Sequence, residues 1–303
     1  MCGRFSLHAN PEVIALAFKV GLVPDWKARY NITPSSKIII VREGVAEGRV
    51  AGLCKWGLIP GWAKDPAIGN KLANARDETV DEKPSFRNAF KRSRCLIPAS
   101  GFYEWKTVAG RKQPYYMQPL GTPLFAIAGI TERWQGPDGA VETCAIITTG
   151  PNGVMSNIHD RMPVILSAED HDAWLDPRNQ SVAALKQLIK PCADSTMSAY
   201  AVSTRVNVPK NDDAGLIEPL DEGEHLGARS DHSLEAELLV EPPVQLQVLP
   251  PQADPLRGLL DRRPQVAEVE RLLEVVERPL LHRRDRRGNR AVARDDDDLG
   301  LRR

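Results

Sequence analysis

The sequence predicts an α+β fold, in which a curved, mostly antiparallel sheet or partly open barrel carries helices at its periphery. Short runs of β-favouring residues follow one another over residues 95–166, and such runs typically pair as antiparallel neighbours. Turn signals separate them, among them Ala109-Gly110 and residues 136–139, which read Gly-Pro-Asp-Gly. All the aromatic residues lie at or before Tyr200, so we expect the core to be built before that position.

The first helix is predicted to begin after Asn10, because an Asn cap followed by Pro11 is a favourable helix start. Val13, Leu16 and Ala17 would form its apolar side. The later elements are predicted from apolar periodicity, capping patterns and turn residues. They are a turn over residues 30–34; strands over 37–41, 53–58, 95–98, 101–106, 114–118, 124–134, 143–148 and 162–166; and helices over 85–92, 167–175 and 182–190.

The last part of the chain differs in composition from the rest. From about Asp221 it is rich in Glu, Arg, Asp, Pro and Leu and contains no aromatic residue. Such a segment buries little apolar area, so we predict one domain over 1–220 and a largely disordered tail over 221–303. One amphipathic helix is possible over 265–278, because the spacing of Val266, Val269, Leu273 and Val276 puts them on one helix face. This helix would be either isolated or a docking element for a partner.

Composition excludes several classes of protein. The 40 Lys and Arg residues balance the 40 Asp and Glu residues, so no global field favours a polyanionic partner. The five Cys residues form no Cys-x-x-Cys pair, which argues against a zinc site and a disulfide framework. The start of the chain lacks the signal-peptide pattern, and no apolar run is long enough to span a membrane. We therefore expect a soluble, cytoplasmic monomer without metal or other cofactor.

Cys2 is the first candidate for chemistry. Removal of Met1 would give it a free α-amine beside its thiol, two nucleophiles on adjacent carbons. The ordinary pKa values of these groups, about 8 for the amine and about 8.5 for the thiol, leave both partly reactive at neutral pH. Only an N-terminal Cys offers this pair, although any chain must carry some residue at its second position.

Four further polar residues are candidates for the same site. Glu104 lies between aromatic residues and shares the face of Phe102 in a predicted strand, so its side chain is expected to be partly buried and able to move protons. His159 lies in a polar turn before an apolar strand, and a purely structural hydrogen-bonding role is equally compatible with that place. Asn74 can position a carbonyl or hydroxyl group, and Arg76 suits phosphate.

Six short motifs occur in a fixed order along the first part of the chain. They are Met-Cys-Gly-Arg-Phe at 1–5, Tyr-Asn-Ile-Thr-Pro at 30–34, Trp-Gly-Leu-Ile-Pro at 56–60, Asn-Ala-Arg at 74–76, Gly-Phe-Tyr-Glu-Trp at 101–105 and Ile-His-Asp-Arg-Met-Pro at 158–163. This series strongly resembles the SOS response-associated peptidase (SRAP) family, whose members process abasic sites. The resemblance covers about residues 2–220 and does not reach the tail.

The resemblance implies an enzyme of the DNA-damage (SOS) response that binds single-stranded DNA and captures abasic sites covalently. The Cys2 amine would condense with the aldehyde of the ring-opened sugar, and the thiol would close a stable thiazolidine. Asn74 would position the sugar, while Glu104 and His159 would transfer protons. The family also implies a lyase-type reaction and a thiol peptidase activity of the terminal Cys.

The resemblance assigns DNA contacts to four more residues. Arg4 and Arg76 would hold flanking phosphates, Arg161 would also bind DNA, and Trp56 would pack on the DNA near the lesion. Asp77 departs from the uncharged residue common at this place in the family, and it could weaken DNA binding or pair with Arg76. Three basic stretches with interleaved aromatics, at 4–5, 62–64 and 86–94, are a weaker sign of single-stranded nucleic-acid binding.

Two other classes of function remain open from the sequence. An N-terminal-nucleophile thiol amidohydrolase, such as a class II glutamine amidotransferase, also begins Met-Cys-Gly, but the Gly-His-Thr-Arg-like segment of those enzymes is missing here. An autopeptidase that removes its own leader is a related alternative. The second class is a non-catalytic single-strand-binding protein, in which Cys2 would be incidental.

Overall fold

The computed structural model describes residues 2–44 and 48–221. Segment 222–303, with the predicted helix over 265–278, lies outside the described residues. The strands are β1 (Phe5–Leu7), β2 (Arg29–Ile32), β3 (Lys37–Glu43), β4 (Arg49–Trp56), β5 (Asn74–Arg76), β6 (Arg94–Ala99), β7 (Gly101–Val108), β8 (Arg111–Pro119), β9 (Phe125–Gly136), β10 (Gly139–Thr149), β11 (Met162–Pro163) and β12 (Met197–Ala201). The α-helices are α1 (Pro11–Phe18), α2 (Arg87–Arg92), α3 (Gly153–Ser156), α4 (His171–Leu175) and α5 (Val182–Leu188).

Five of the strands close into a barrel. β3 pairs with β4 and β6, β9 pairs with β6 and β10, and β10 pairs in parallel with β4, which completes the ring. The predicted α+β fold with a curved, mostly antiparallel sheet is therefore confirmed. The sequence predicted a partly open barrel, and the structure shows that the parallel β4–β10 pair closes it. The closure explains why β6 is buried along its whole length.

Two short strands pair with the C-terminal end of β10. β5 lies parallel to it with Ile146 opposite Asn74 and Thr148 opposite Arg76. β11 lies antiparallel to it with Thr148 opposite Pro163. The segments that precede β11 and follow β5 therefore meet at one edge of the barrel.

A second sheet runs in the order β12-β8-β7-β1-β2. Its central hairpin, β7–β8, turns at Ala109 and Gly110, both with positive φ, as the turn signal predicts. The N-terminal strand β1 adds to β7, with Phe5 opposite Phe102. This pairing ties the beginning of the chain to the middle of the sheet.

Several predicted elements differ from the observed ones. Asn10 caps α1 as expected, but the helix buries Ile14 and Phe18, four residues apart, and leaves Leu16 83% exposed. The predicted turn over 30–34 is mostly strand β2, because these residues pair with β1. The helix predicted from residue 167 begins only at His171.

No helix within residues 2–44 and 48–221 is both long and apolar enough to cross a membrane.

Candidate active site

The pairing of β1 with β7 brings Cys2 to Glu104. The Tyr103 N–H donates to the Arg4 carbonyl at 2.9 Å, so the antiparallel register of Phe5 and Phe102 continues toward the chain start. One step further in that register, Gly3 lies opposite Glu104. Cys2 is completely buried there, and Glu104 is only 2% exposed. The inward orientation of Glu104 expected from its strand position is confirmed.

Burial controls the protonation of both groups. The pKa of the Cys2 thiol is raised first by burial and next by the negative charge of Glu104. Burial likewise raises the pKa of the Glu104 carboxyl to about 7. At neutral pH the thiol therefore keeps its proton, and the carboxyl group exchanges its proton readily.

His159 faces the same carboxyl group. Its Nε2 lies 3.8 Å from Oε2 of Glu104. α3, capped by the Asn152 side chain, positions the histidine, because the His159 N–H donates to the Met155 carbonyl at 2.9 Å just after that helix. The Arg161 N–H donates to Nδ1 of His159 at 3.0 Å, and burial lowers the pKa of the ring. A neutral ring that accepts at Nδ1 carries its proton on Nε2, on the side of Glu104.

Asn74 and Arg76 lie on one face of β5, since alternate residues of a strand point the same way. The Oδ1 of Asn74 is buried and has no hydrogen-bond partner among the described residues. Arg76 is exposed, and no side-chain hydrogen bond or ion pair involves it in the described part of the chain. The strand thus offers one unused amide oxygen and one available cation.

Arg4 is held by the protein itself. Its Nη1 donates to Oδ1 of Asn31 at 2.8 Å and also to the Val206 carbonyl, and its guanidinium lies 5.7 Å from the ring centroid of Trp105. Burial lowers the pKa of Arg4. The side chain is therefore fixed beside the β1–β7 pair, and only part of it remains accessible.

Arg161 is engaged by two carboxylates. Its guanidinium bonds Asp77 at 2.9 Å and also Glu78, and it donates to the Thr148 carbonyl at 2.6 Å. Asp77, which the sequence left free to pair with Arg76, pairs with Arg161 instead. The β5–β10–β11 arrangement decides this pairing, since it brings the segments after β5 and before β11 together.

Trp56 does not occupy the place that the resemblance implies. It is completely buried, its Nε1 donates to the Ala73 carbonyl at 2.8 Å, and its ring meets Phe5 edge-on at 5.3 Å. The expected packing of this indole on DNA is therefore wrong. β4 is a barrel strand at this point, and alternation along the strand places Trp56 on the same buried face as Cys54.

Replacing Trp56 by Phe tests this assignment. We expect the free energy of unfolding to fall by about 2 kcal/mol, because the smaller ring leaves a gap and the Ala73 carbonyl loses its donor. Affinity for single-stranded DNA should not change. Urea titration and fluorescence anisotropy measure the two quantities, and Trp62→Phe, at a 62% exposed tryptophan, is the stability control. Weaker DNA binding by Trp56→Phe at unchanged stability would restore the original role.

The aromatic residues of the basic stretches are mostly buried. Phe5, Phe86 and Phe90 are at most 3% exposed, so they cannot stack on bases. Trp62 alone among the aromatics of these stretches is open to solvent, beside the exposed Lys64. Of the three basic stretches with interleaved aromatics, only the one at 62–64 therefore has an aromatic ring that is free to stack on a base.

Sequence reasoning missed the residues that support the site. Asn31 is 1% exposed, and its Nδ2 donates to the carbonyls of Val206, Val208 and Asn211 while its Oδ1 holds Arg4. Asn31 belongs to the motif at 30–34, so the sequence did single out this residue. No local pattern, however, connects Asn31 with partners so distant in the chain.

In the part of the chain that the structure describes, no group of three or more His, Cys, Asp or Glu side chains could hold a metal ion.

Comparison with known proteins assigns a family. A family model described as SOS response associated peptidase (SRAP) matches residues 1–209. The chain is 44% identical over 223 residues to Abasic site processing protein YoqW of Bacillus subtilis (strain 168), covering 72% of this chain and 99% of that protein. It is 29% identical over 273 residues to Abasic site processing protein HMCES of Pongo abelii, covering 73% and 77%.

A solved structure shares the fold of this chain. The fold matches the crystal structure of a protein from Bacteroides thetaiotaomicron with a TM-score of 0.66 at 28% identity, covering 72% of this chain and all of that one. The family match covers more than half of the chain and includes each of the candidate site residues. The chain therefore belongs to the SOS response associated peptidase (SRAP) family.

Proposed function

We propose that this protein captures abasic sites in single-stranded DNA by forming a covalent bond at Cys2. The observation that carries the proposal is the placement of Cys2 beside Glu104, whose Oε2 lies 3.8 Å from Nε2 of His159. Two relatives, from Bacillus subtilis and Pongo abelii, are named abasic site processing proteins, and these names describe the same substrate class.

The reaction begins at the α-amine that removal of Met1 exposes on Cys2. The amine nitrogen attacks the aldehyde carbon of the ring-opened sugar, and loss of one water gives an imine. The thiol sulfur then adds to the imine carbon, while its proton passes to the nitrogen, which closes a five-membered thiazolidine. The net reaction joins aldehyde and aminothiol with release of one water, so no oxidant, reductant or cofactor is required.

Glu104 and His159 move the protons of this sequence. A carboxyl group with a pKa of about 7 can accept a proton from the attacking amine and return it to the leaving hydroxyl at neutral pH. The neutral His159 presents Nε2–H toward Glu104, which favours the ionised carboxylate during the first step.

The raised pKa of the Cys2 thiol determines the order of the two attacks. A buried, protonated thiol is a poor first nucleophile, because thiolate is the reactive form. The amine therefore reacts first, and the thiol adds once the imine has formed. The same burial works against a peptidase reaction, which begins with thiolate attack on an amide. Ring closure also removes the imine from which lyase-type β-elimination of the DNA strand would proceed.

Four residues are suited to hold the DNA. The unused Oδ1 of Asn74 can accept a hydrogen bond from a sugar hydroxyl, and the exposed Arg76 can bind a phosphate. Trp62, with Lys64 beside it, offers an exposed ring for base stacking. Phosphate contacts of this kind make affinity fall as salt concentration rises.

A crosslinking assay tests the proposed function. The full chain, shown by mass spectrometry to lack Met1, is incubated with an oligonucleotide containing one abasic site. We expect a shifted band that survives heating on a denaturing gel, and none with the undamaged oligonucleotide. Absence of an adduct from protein that demonstrably lacks Met1 would refute covalent capture and favour a non-catalytic binding protein.

A further inference from the structure

A chain of fixed contacts leads from Asp77 to His159. Asp77 is itself anchored twice, because its Oδ2 accepts from the Thr149 hydroxyl at 2.8 Å and its N–H donates to the Thr148 carbonyl at 2.9 Å. Its Oδ1 accepts from Nη2 of Arg161 at 2.9 Å. The Arg161 side chain, only 12% exposed, is thus held against the end of β10.

The backbone of Arg161 contacts the histidine ring. Its N–H, which can only donate, lies 3.0 Å from Nδ1 of His159 and requires an unprotonated nitrogen there. A carboxyl oxygen of Asp160 lies 2.9 Å from the same Nδ1 and would favour a proton at that position. The two contacts therefore select opposite tautomers.

Burial decides between these contacts. The Asp160 side chain is 87% exposed, so water screens its charge and it can rotate away. The Arg161 N–H cannot rotate away while its side chain remains anchored at Asp77, the Thr148 carbonyl and the 56% exposed Glu78, and of the two carboxylates only Asp77 is largely buried and itself held in place. The position of Arg161 is thus what keeps Nδ1 unprotonated.

We propose that Asp77 is a positioning residue that, by anchoring Arg161, holds His159 in the tautomer with its proton on Nε2, facing Glu104. In that tautomer Nε2–H supports the ionised carboxylate, whereas the other tautomer would present a lone pair to it. The consequence for catalysis rests on the proposed capture reaction, but the tautomer itself does not.

This role differs from a purely electrostatic effect of Asp77 on DNA binding. If Asp77 only repelled phosphate, its removal would tighten DNA binding and leave the chemistry unchanged. If it positions His159, its removal slows capture, whatever happens to affinity. The two readouts therefore separate these explanations.

The test compares Asp77→Ala, Asp77→Asn and Asp160→Asn in the full chain. Asn at position 77 can still accept from Arg161 and bond the Thr149 hydroxyl, so it keeps the geometry without the charge. We expect Asp77→Ala to slow adduct formation by about tenfold, with no loss of affinity for single-stranded DNA, and Asp77→Asn to restore most of the rate. Thermal unfolding verifies that each variant is folded.

Nitrogen-15 chemical shifts of the His159 ring report the tautomer without any DNA. The signals are assigned by their disappearance in His159→Gln. Wild type, Asp77→Asn and Asp160→Asn should show the proton on Nε2, and Asp77→Ala should show a shift toward Nδ1. An unchanged tautomer in Asp77→Ala, or an unchanged capture rate, would overturn the positioning role. If wild type forms no adduct, the proposed function fails, and the tautomer measurement still decides this inference.

Discussion

Cys2→Ser is expected to abolish the heat-stable adduct while leaving affinity for single-stranded DNA unchanged. The serine amine can still form an imine with the abasic aldehyde. However, its hydroxyl is a weaker nucleophile than the thiol, and the imine hydrolyses when the protein is denatured. Denaturing gels measure the adduct, and fluorescence anisotropy measures the affinity.

Reduction with borohydride distinguishes the two nucleophiles of this residue. Added during incubation, it should trap Cys2→Ser as a stable amine adduct, because only the ring closure has been lost. Cys192→Ser is the matched control, since that thiol contacts Thr196 and Asn152 instead of Glu104. A heat-stable adduct from Cys2→Ser without borohydride would contradict the thiazolidine.

Glu104→Gln is expected to slow adduct formation by about a hundredfold, the usual effect of losing a general acid–base group. The wild-type rate should rise as the pH passes through about 7, where the buried carboxyl ionises. The variant cannot ionise at this position, so its rate should not show the rise near pH 7. Single-turnover measurements between pH 5 and pH 9 test both expectations, with Glu82→Gln, at an exposed carboxylate, as the control.

The same substitution should make the protein more stable at high pH. The pKa of Glu104 is raised from its ordinary value of 4.5 to about 7, so the folded state holds this proton more tightly than the unfolded state. The wild type therefore loses stability, by up to about 3 kcal/mol, as the pH rises from 4.5 to 7, and the loss stays constant above that range. Glu104→Gln avoids the loss. Equal wild-type and variant stability at pH 5 and pH 8 would show that the carboxyl group is not buried as described.

The candidate site could be predicted in part because some of its chemistry is local. The two nucleophiles expected of Cys2 follow from its place in the chain. The burial of Glu104 follows from strand alternation, which puts its side chain on the face of Phe102. The β7–β8 hairpin is likewise encoded in a two-residue turn at Ala109 and Gly110. In each case the physical cause acts over a few residues, so the order of the amino acids is sufficient.

Long-range contacts decided which of the other candidate side chains are buried and which charges they meet. The family resemblance assigns Trp56 a DNA contact, but its position in a strand of the closed barrel places its ring in the core. Arg161 meets Asp77 because β10 gathers β5 and β11 at one end. Whether a side chain is buried, and which charge it meets, depends on strands that are distant in sequence.

The sequence by itself determined the fold class, the motif series of the SRAP family and the two nucleophiles that Cys2 would carry. Only the tertiary structure decided that Glu104 meets Cys2 and His159, that Arg161 is held by carboxylates, and that Trp56 is structural. Nucleophilicity belongs to a residue and its place in the chain. Burial, pKa and tautomer depend on neighbours, and those are set only when β1 pairs with β7 and the barrel closes.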